Sequence, residues 1–421
     1  MDKVMERVSV SQNGNAVTTA NAKPLHLLSP QKRIKVLHLI TRLSIGGAQE
    51  NTMLTAGFLD KDRFDVEVWC GPQCDEGDSL LAEFNRLGIK LAVLPELVRE
   101  VNPVKDAVAL AKLARRIKKS KFDVVHTHSS KAGIIGRLAA AAAGVPAIVH
   151  TVHGWSFHDW MNPLARRVYI GLEKMVEPKT QKLITVSDRD TRKGLVAGVG
   201  SSDKYTTIHS GIEVWRFSDG ASDPNSIRSE LGLAPDTLIV GTVSRLAPQK
   251  NPSAFVRMAA ELHKRFPDVH FLYVGDGPLR PEIEKEIQEH GLESHLHLLG
   301  ARRDIPEITH AIDIFVLTSL WEGLPRVFPQ AMAAGKPIVA TRVDGAPEAI
   351  EDAKNGYLVE VHDHKTLVDR VGGLIQNPNL RLEFGARGRD RVYPDFCATR
   401  MTEQISDVYD QILIGKQHSK A

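Results

Sequence analysis

Glu322 stands in the run Ser319-Leu320-Trp321-Glu322-Gly323-Leu324-Pro325, between an apolar stretch, Ile314 to Leu317, and a helical stretch that ends at Gly335. A carboxylate in such a turn can accept hydrogen bonds from the hydroxyls of a polyol and can stabilise positive charge. The helix that follows aims unpaired backbone N–H groups and the positive end of its dipole at the same point. A second loop, Ser244-Arg245-Leu246-Ala247-Pro248-Gln249-Lys250-Asn251, follows the apolar run Leu238 to Val243. A guanidinium grips a phosphate bidentately and an ammonium adds a point charge, so Arg245 and Lys250 together suit a phosphate. The alternative is a merely solvated basic loop, but a position at the carboxyl end of a strand favours a ligand.

Weaker signals surround these. Ser44-Ile45-Gly46-Gly47-Ala48-Gln49 follows the first strand, where paired glycines let backbone and helix start approach a phosphate. It is not G-x-G-x-x-G, so no dinucleotide fingerprint is present. Val274-Gly275-Asp276-Gly277-Pro278 is another strand-to-helix turn, explained equally by turn-making and by close approach to a flat base. His153, in Thr151-Val152-His153-Gly154-Trp155, ends a strand and can meet a ligand in a cleft. His126 and His128 also end a strand, yet no third ligand at a telling spacing supports a metal. Trp155, Phe157, His158, Trp160, Arg166, Arg167 and Tyr169 form an aromatic and basic cluster. It suits an apolar or lipid-linked acceptor at an anionic membrane face, or else ordinary packing. Glu348, in Asp344-Gly345-Ala346-Pro347-Glu348, reads as an acid serving a helix dipole.

The elements that position these residues alternate short β-branched runs with amphipathic stretches. Strands are expected at Lys35 to Ile40, Phe64 to Cys70, Phe122 to Thr127, Ala147 to Val152, Lys182 to Val186 and Thr206 to Ile208. A second set is expected at Leu238 to Val243, His270 to Val274, Leu296 to Leu299, Ile314 to Leu317 and Pro337 to Ala340. Helices are expected from Ala48 to Leu59, from Val104 to Lys118 (with Val104, Val108, Ala111, Ala114 and Ile117 as its apolar stripe) and from Thr399 to Ile414. Alternation at this spacing means α/β architecture with parallel sheets. A chain of 421 residues exceeds one ordinary core, and Asp219 to Asn225 reads as a linker. The expected organisation is a disordered extension over residues 1–32, one Rossmann-like domain over 33–218, a second over 219–395, and a returning helix and tail over 396–421.

Bulk composition excludes several classes. With 42% hydrophobic and 25% charged residues the chain is an ordinary globular protein. A formal charge of +3 argues against a nucleic-acid partner. Cys70, Cys74 and Cys397 make no disulfide framework and read as unpaired thiols. No apolar run is long enough to span a membrane, and the polar N-terminus does not read as a secretory signal. A cytoplasmic location follows as the expectation.

Taken in order, these motifs resemble the retaining glycosyltransferases of family GT4, which have the two-Rossmann GT-B fold with parallel sheets facing a central cleft. The resemblance covers about residues 34–395 and is carried by Gly46-Gly47, His153-Gly154, Val186-Ser187, Ser210-Gly211-Ile212, Arg245 with Lys250, Gly275-Asp276-Gly277, and Glu322-Gly323-Leu324-Pro325 with Ala331-Met332-Ala333. It implies a nucleotide-diphosphate sugar as donor substrate and no cofactor or metal. Arg245 and Lys250 would neutralise the diphosphate, and Glu322 with the amides of Gly323 and Leu324 would hold the donor sugar beside His153. Gly46, Gly47, Gly275 and Gly277 would line the donor site. The acceptor, a sugar or polyprenyl-linked sugar, would lie against the first domain near Trp155, Trp160 and Arg166, with peripheral contact to the inner face of the plasma membrane. Transfer of a hexose or N-acetylhexosamine in surface polysaccharide synthesis is the implied role. Two departures stand out. Gln330 replaces the family's second glutamate, which binds the nucleotide ribose, and Ser210-Gly211 replaces an Asn-Gly pair. An epimerase or synthase of the same architecture, or a non-catalytic nucleotide-sugar-binding subunit, is the alternative.

Overall fold

The computed structural model describes residues 32–418, apart from 73–79, 99, 101, 219, 221, 222 and 224. The expected N-terminal extension (residues 1–31), Cys74 and most of the expected linker lie outside the described residues. Seven strands build the first sheet: β1 (Ile34–Ile40), β2 (Phe64–Cys70), β3 (Lys90–Val93), β4 (Val124–His128), β5 (Ala147–Val152), β6 (Lys182–Thr185) and β7 (Tyr205–Thr207). Six build the second: β8 (Ile239–Val243), β9 (His270–Val274), β10 (Leu296–Gly300), β11 (Ile314–Leu317), β12 (Ile338–Thr341) and β13 (Gly356–Val359). Their orders are β3-β2-β1-β4-β5-β6-β7 and β10-β9-β8-β11-β12-β13. All strand pairings in both sheets are parallel. This is the expected architecture of two Rossmann-like α/β halves.

Parallel strands need crossover helices, which cover both faces, so the central strands are buried throughout. β4, β5, β11 and β12 have every residue buried. In each sheet the strand order reverses once, between β1 and β4 and between β8 and β11. Open α/β sheets bind ligands at the carboxyl ends of the strands beside such a reversal. Those four strand ends lead into Gly46-Gly47, His128, the Lys250 loop and the Glu322 turn.

Two short edge strands, β3 and β13, were not foreseen. The helix Pro103–Ser120 begins as expected, with Asn102 Oδ1 accepting from the amides of Val104 and Lys105 and with Pro103 in its first turn. Its buried face, however, is Ala109, Leu113 and Ile117, while Val104 and Val108 are exposed. Spacing by four places these three on one stripe that faces the helix Ser130–Ala143.

The chain passes twice through one narrow crossing. Ile212 N donates to Phe396 O at 2.8 Å and Ala398 N donates to Ile212 O at 2.9 Å. Beyond it the helix Ala398–His418 packs Met401, Ile405, Val408 and Tyr409 into the core of the first sheet. The three aliphatic and thioether side chains stabilise that docking by roughly 1.5–3 kcal/mol each. Cys70 and Cys397 are buried free thiols.

Candidate active site

Lys250 ends a short 3-10 turn, Pro248–Lys250, that follows β8. Glu322 lies in the turn after β11. Thr318 Oγ1, at the end of β11, donates to the carbonyls of Lys250 (3.1 Å) and Asn251 (3.0 Å), and Leu320 N donates to Gln249 O at 2.8 Å. These bonds lock the two loops side by side. As a result Lys250 Nζ forms an ion pair with Glu322 Oε1, with the carboxylate side chain 8% exposed. Gln249 Nε2 donates to Trp321 O at 2.9 Å and reaches Glu322 Oε2 at 3.5 Å. The Glu322 amide donates to Asp344 Oδ2 at 2.7 Å. Burial raises the Asp344 carboxyl above its ordinary value, against the opposing pull of that amide and of Lys193 and Arg189. An ammonium and a carboxylate, both anchored from behind, thus sit next to each other at the mouth of the second sheet.

The first sheet brings the His153-Gly154 turn against the Glu322-Gly323 turn. Gly154 has φ +119°, a conformation that favours glycine. A Cβ on Gly323 would lie 2.6 Å from His153 O and 3.1 Å from Gly154 N. The two turns therefore touch backbone to backbone, and only glycine fits at position 323. Trp160 Nε1 donates to Leu320 O at 3.1 Å, and His158 stacks on Trp321 with ring centroids 4.1 Å apart.

The remaining foreseen residues divide. Gly46 and Gly47 open the helix Gly47–Phe58, and a Cβ on Gly47 would stand 3.8 Å from Arg326 Cδ of the other half. Arg245 is exposed on the Lys250 loop. Gly275 and Gly277 press against the backbone of Ser244 and Leu246, so the Arg245 loop accounts for their lack of side chain. Leu324 points into the core of the second sheet. Gln330 is buried in the helix Val327–Ala333. Trp155 corrects the expectation of an acceptor surface: it is 7% exposed, its Nε1 donates to Asp190 O at 2.7 Å, and it stacks on the fully buried Phe157. Arg166 is partly exposed and lies 3.2 Å from Asp159.

Residues 223–391 match the family described as Glycosyl transferases group 1, and residues 45–216 match Glycosyltransferase Family 4. The chain is 30% identical over 394 residues to the UDP-Gal:alpha-D-GlcNAc-diphosphoundecaprenol alpha-1,3-galactosyltransferase of Escherichia coli, covering 92% of this chain and 100% of that one. The chain belongs to glycosyltransferase family 4. The D-inositol 3-phosphate glycosyltransferase of Actinosynnema mirum is 31% identical to this glycosyltransferase over 312 residues, 69% of this chain and 72% of the relative. Among solved structures, Anabaena Alr3699/HepE in complex with UDP-glucose superposes with a TM-score of 0.78 at 24% identity, over 90% of this chain and 100% of that one. WaaG, a glycosyltransferase involved in lipopolysaccharide biosynthesis, superposes with a TM-score of 0.72 at 18% identity, over 89% and 99%. Both likenesses show the fold, GT-B.

Three features of this glycosyltransferase escaped the sequence. Arg326, 8% exposed, forms an ion pair with Glu50 of the other half and donates through Nε and Nη2 to Gly211 O at 3.3 and 3.2 Å. Its position directly after the Leu324-Pro325 step was the available signal. Glu348 does serve a helix dipole, but that of the opposite half. Its oxygens accept from the amides of Asp188 (2.9 Å) and Arg189 (3.1 Å) at the start of the helix Asp188–Val196, and from His209 Nε2 (3.0 Å). Burial alone would raise the Glu348 carboxyl; His209 and the two amides outweigh it and hold it below its ordinary value. Lastly, His38 joins His126 and His128, so that nitrogens of all three rings lie within 4.8 Å of one another. This is the third imidazole that spacing along the chain did not reveal.

Proposed function

We propose that this glycosyltransferase moves a sugar, with retention of anomeric configuration, from a nucleotide-diphosphate sugar to a hydroxyl of a lipid-linked or polysaccharide acceptor. The observation that carries the reading is the anchored Lys250–Glu322 pair, whose Glu322-Gly323 turn meets the His153-Gly154 turn. Lys250, joined by Arg245, neutralises the diphosphate as the anomeric C–O bond breaks. Glu322 and the amides of Gly323 and Leu324 hold the sugar, while His153 faces it from the other half. The acceptor oxygen forms its bond to the anomeric carbon on the face the diphosphate leaves. The departing diphosphate takes the acceptor proton, so positioning and electrostatics supply the catalysis without a strong protein base. Charge supplied by Arg245 and Lys250 does the work a divalent ion does elsewhere.

An acceptor at a membrane surface is supported by the helix Pro163–Val176. Leu164, Val168 and Met175 lie exposed along it, next to exposed Trp160 and to Arg166 and Arg167. An apolar stripe flanked by cations is suited to an anionic interface. No helix among the described residues is long and apolar enough to cross a membrane. Surface polysaccharide synthesis, on the cytoplasmic face, is the role this reading favours. The test is transfer from α-linked UDP-sugars to an N-acetylglucosamine-diphospho-lipid, with the product anomer read by NMR. An α-linked product that vanishes in Lys250→Ala and Glu322→Ala supports the reading; a β-linked product, or full activity in both variants, rejects it.

A further inference from the structure

Beneath His153 runs a file of buried polar groups whose longest link is 3.5 Å. His153 Nε2 lies 3.0 Å from His128 Nδ1, and His128 Nε2 lies 2.9 Å from His38 Nδ1. His38 Nε2 is 3.5 Å from the hydroxyl of Tyr409, on the final helix. That hydroxyl is 2.6 Å from His126 Nδ1, whose partner nitrogen Nε2 is 2.7 Å from Thr151 Oγ1. His38, His126, His128 and Tyr409 are fully buried. Burial pushes His38 and His153 down to about 3 and holds His126 and His128 well below the ordinary histidine value; it holds Tyr409 far above the ordinary phenol value. Every ring is therefore neutral, with one N–H and one lone pair, and the phenol keeps its proton.

Neutral rings in single file cannot choose tautomers independently. Each bond needs one donor and one acceptor, so fixing one proton fixes them all. The shortest contact in the file favours one direction. A separation of 2.6 Å is short for an N–H donor and ordinary for an O–H donor. Tyr409 thus donates to His126 Nδ1, and its oxygen is left to accept from His38 Nε2–H. Donation then runs from His128 Nε2–H to His38 Nδ1 and from His153 Nε2–H to His128 Nδ1. All four imidazoles carry their proton on Nε2.

We propose that His128, His38 and Tyr409 are positioning residues that hold His153 as the Nε2–H tautomer, so that its Nδ1 lone pair accepts a hydrogen bond from a hydroxyl of the donor sugar. The inference rests on the placement of His153 beside that sugar. It also sets the role of the His38, His126 and His128 group. Each of these rings spends its nitrogens on the file, and none of the partners named above is a carboxylate that could offset a divalent charge there.

The test is NMR of the full-length, ligand-free protein labelled with 15N in histidine, with His153 assigned from the spectrum of His153→Asn. The expected result is a protonated Nε2 and an unprotonated Nδ1 on His38, His126, His128 and His153, unchanged from pH 8 to pH 6. Protonated Nδ1 on His153 overturns the proposal, as does stoichiometric zinc in the purified protein that is lost in His38→Asn. Tyr409→Phe removes the acceptor at the far end. It is expected to give His153 a mixture of tautomers and to lower kcat about tenfold with the donor KM within twofold. A wild-type His153 signal in that variant also overturns it. The wild-type spectrum decides the matter even where the variant does not fold. Because it contains no substrate, it stands apart from the assignment of His153 to the sugar, which falls separately if His153→Ala transfers at the full rate.

Discussion

Gly323→Ala tests the backbone contact that joins the two halves over the site. A methyl at this position would stand 2.6 Å from His153 O, 3.0 Å from His153 C and 3.1 Å from Gly154 N. Ordinary contact begins near 3.4 Å, so the shortest of these falls short by about 0.8 Å. All three atoms are backbone and none can rotate away. The His153-Gly154 turn and the Glu322 turn must therefore part by close to that distance. A displacement of about 1 Å between reacting groups costs on the order of 100-fold in rate. The expected outcome is a loss of roughly 100-fold in kcat for sugar transfer, measured with radiolabelled donor at saturation, with the circular dichroism spectrum unchanged. Gly373→Ala is the control. Gly373 lies on the exposed face of the helix His364–Gln376 with nothing within 4 Å of an added Cβ. It should leave the rate alone and stabilise the helix by about 0.5–1 kcal/mol. A Gly323→Ala enzyme within threefold of the wild-type rate would refute the claim that this contact sets the catalytic geometry.

Four further outcomes are expected. Burial keeps His38, His126, His128, His150 and His153 below the unfolded histidine value of about 6.5. Below pH 6.5 the unfolded chain takes up protons that the native rings refuse, so their contribution is whole above that pH and falls as pH drops below it. Each ring contributes about 1.4 kcal/mol per pH unit in that window. Asp190, raised by burial to about 7, acts in the opposite direction between about pH 4 and 7 and offsets one of them. A steep fall in Tm from pH 6.5 to 5.5 is expected, and a flat profile would contradict it. Glu173→Ala strands the fully buried Arg137 guanidinium, whose Nη2 lies 2.6 Å from that carboxylate, and should cost about 3–5 kcal/mol in urea unfolding. Removing the exposed Arg63–Asp410 pair should cost under about 1 kcal/mol. Gln330→Glu restores the charged acceptor at the expected ribose position and should lower the donor Kd about fivefold by calorimetry; unchanged or weaker binding would mean the ribose is held elsewhere.

The parallel α/β architecture was legible because each half repeats one rule, a short apolar strand and then an amphipathic helix. The strand-end positions of Lys250, Glu322 and His153 were legible for the same reason. What pairs with them was not. Arg326 and Glu50 are brought together by the meeting of the two halves, and no local pattern records a contact of that span. His38 sits inside an apolar strand, where period and hydrophobicity mark it only as core. Its pairing with His126 is set by sheet register. Trp155 and Trp160 look alike in sequence; the packing of Phe157 and the helix Asp188–Val196 buries one and leaves the other exposed. Val104 and Val108 misled because an apolar residue at helical spacing need not face the core.

The most direct test is calorimetric titration of the wild type, Lys250→Ala and Glu322→Ala with a nucleoside diphosphate and with the matching nucleotide-sugar. If Lys250 takes the diphosphate and Glu322 the sugar, Lys250→Ala weakens both ligands. Glu322→Ala weakens only the nucleotide-sugar, and binding of the bare diphosphate holds or tightens as Lys250 loses its partner. Equal weakening of both ligands by Glu322→Ala, or no weakening by Lys250→Ala, would contradict that division of roles.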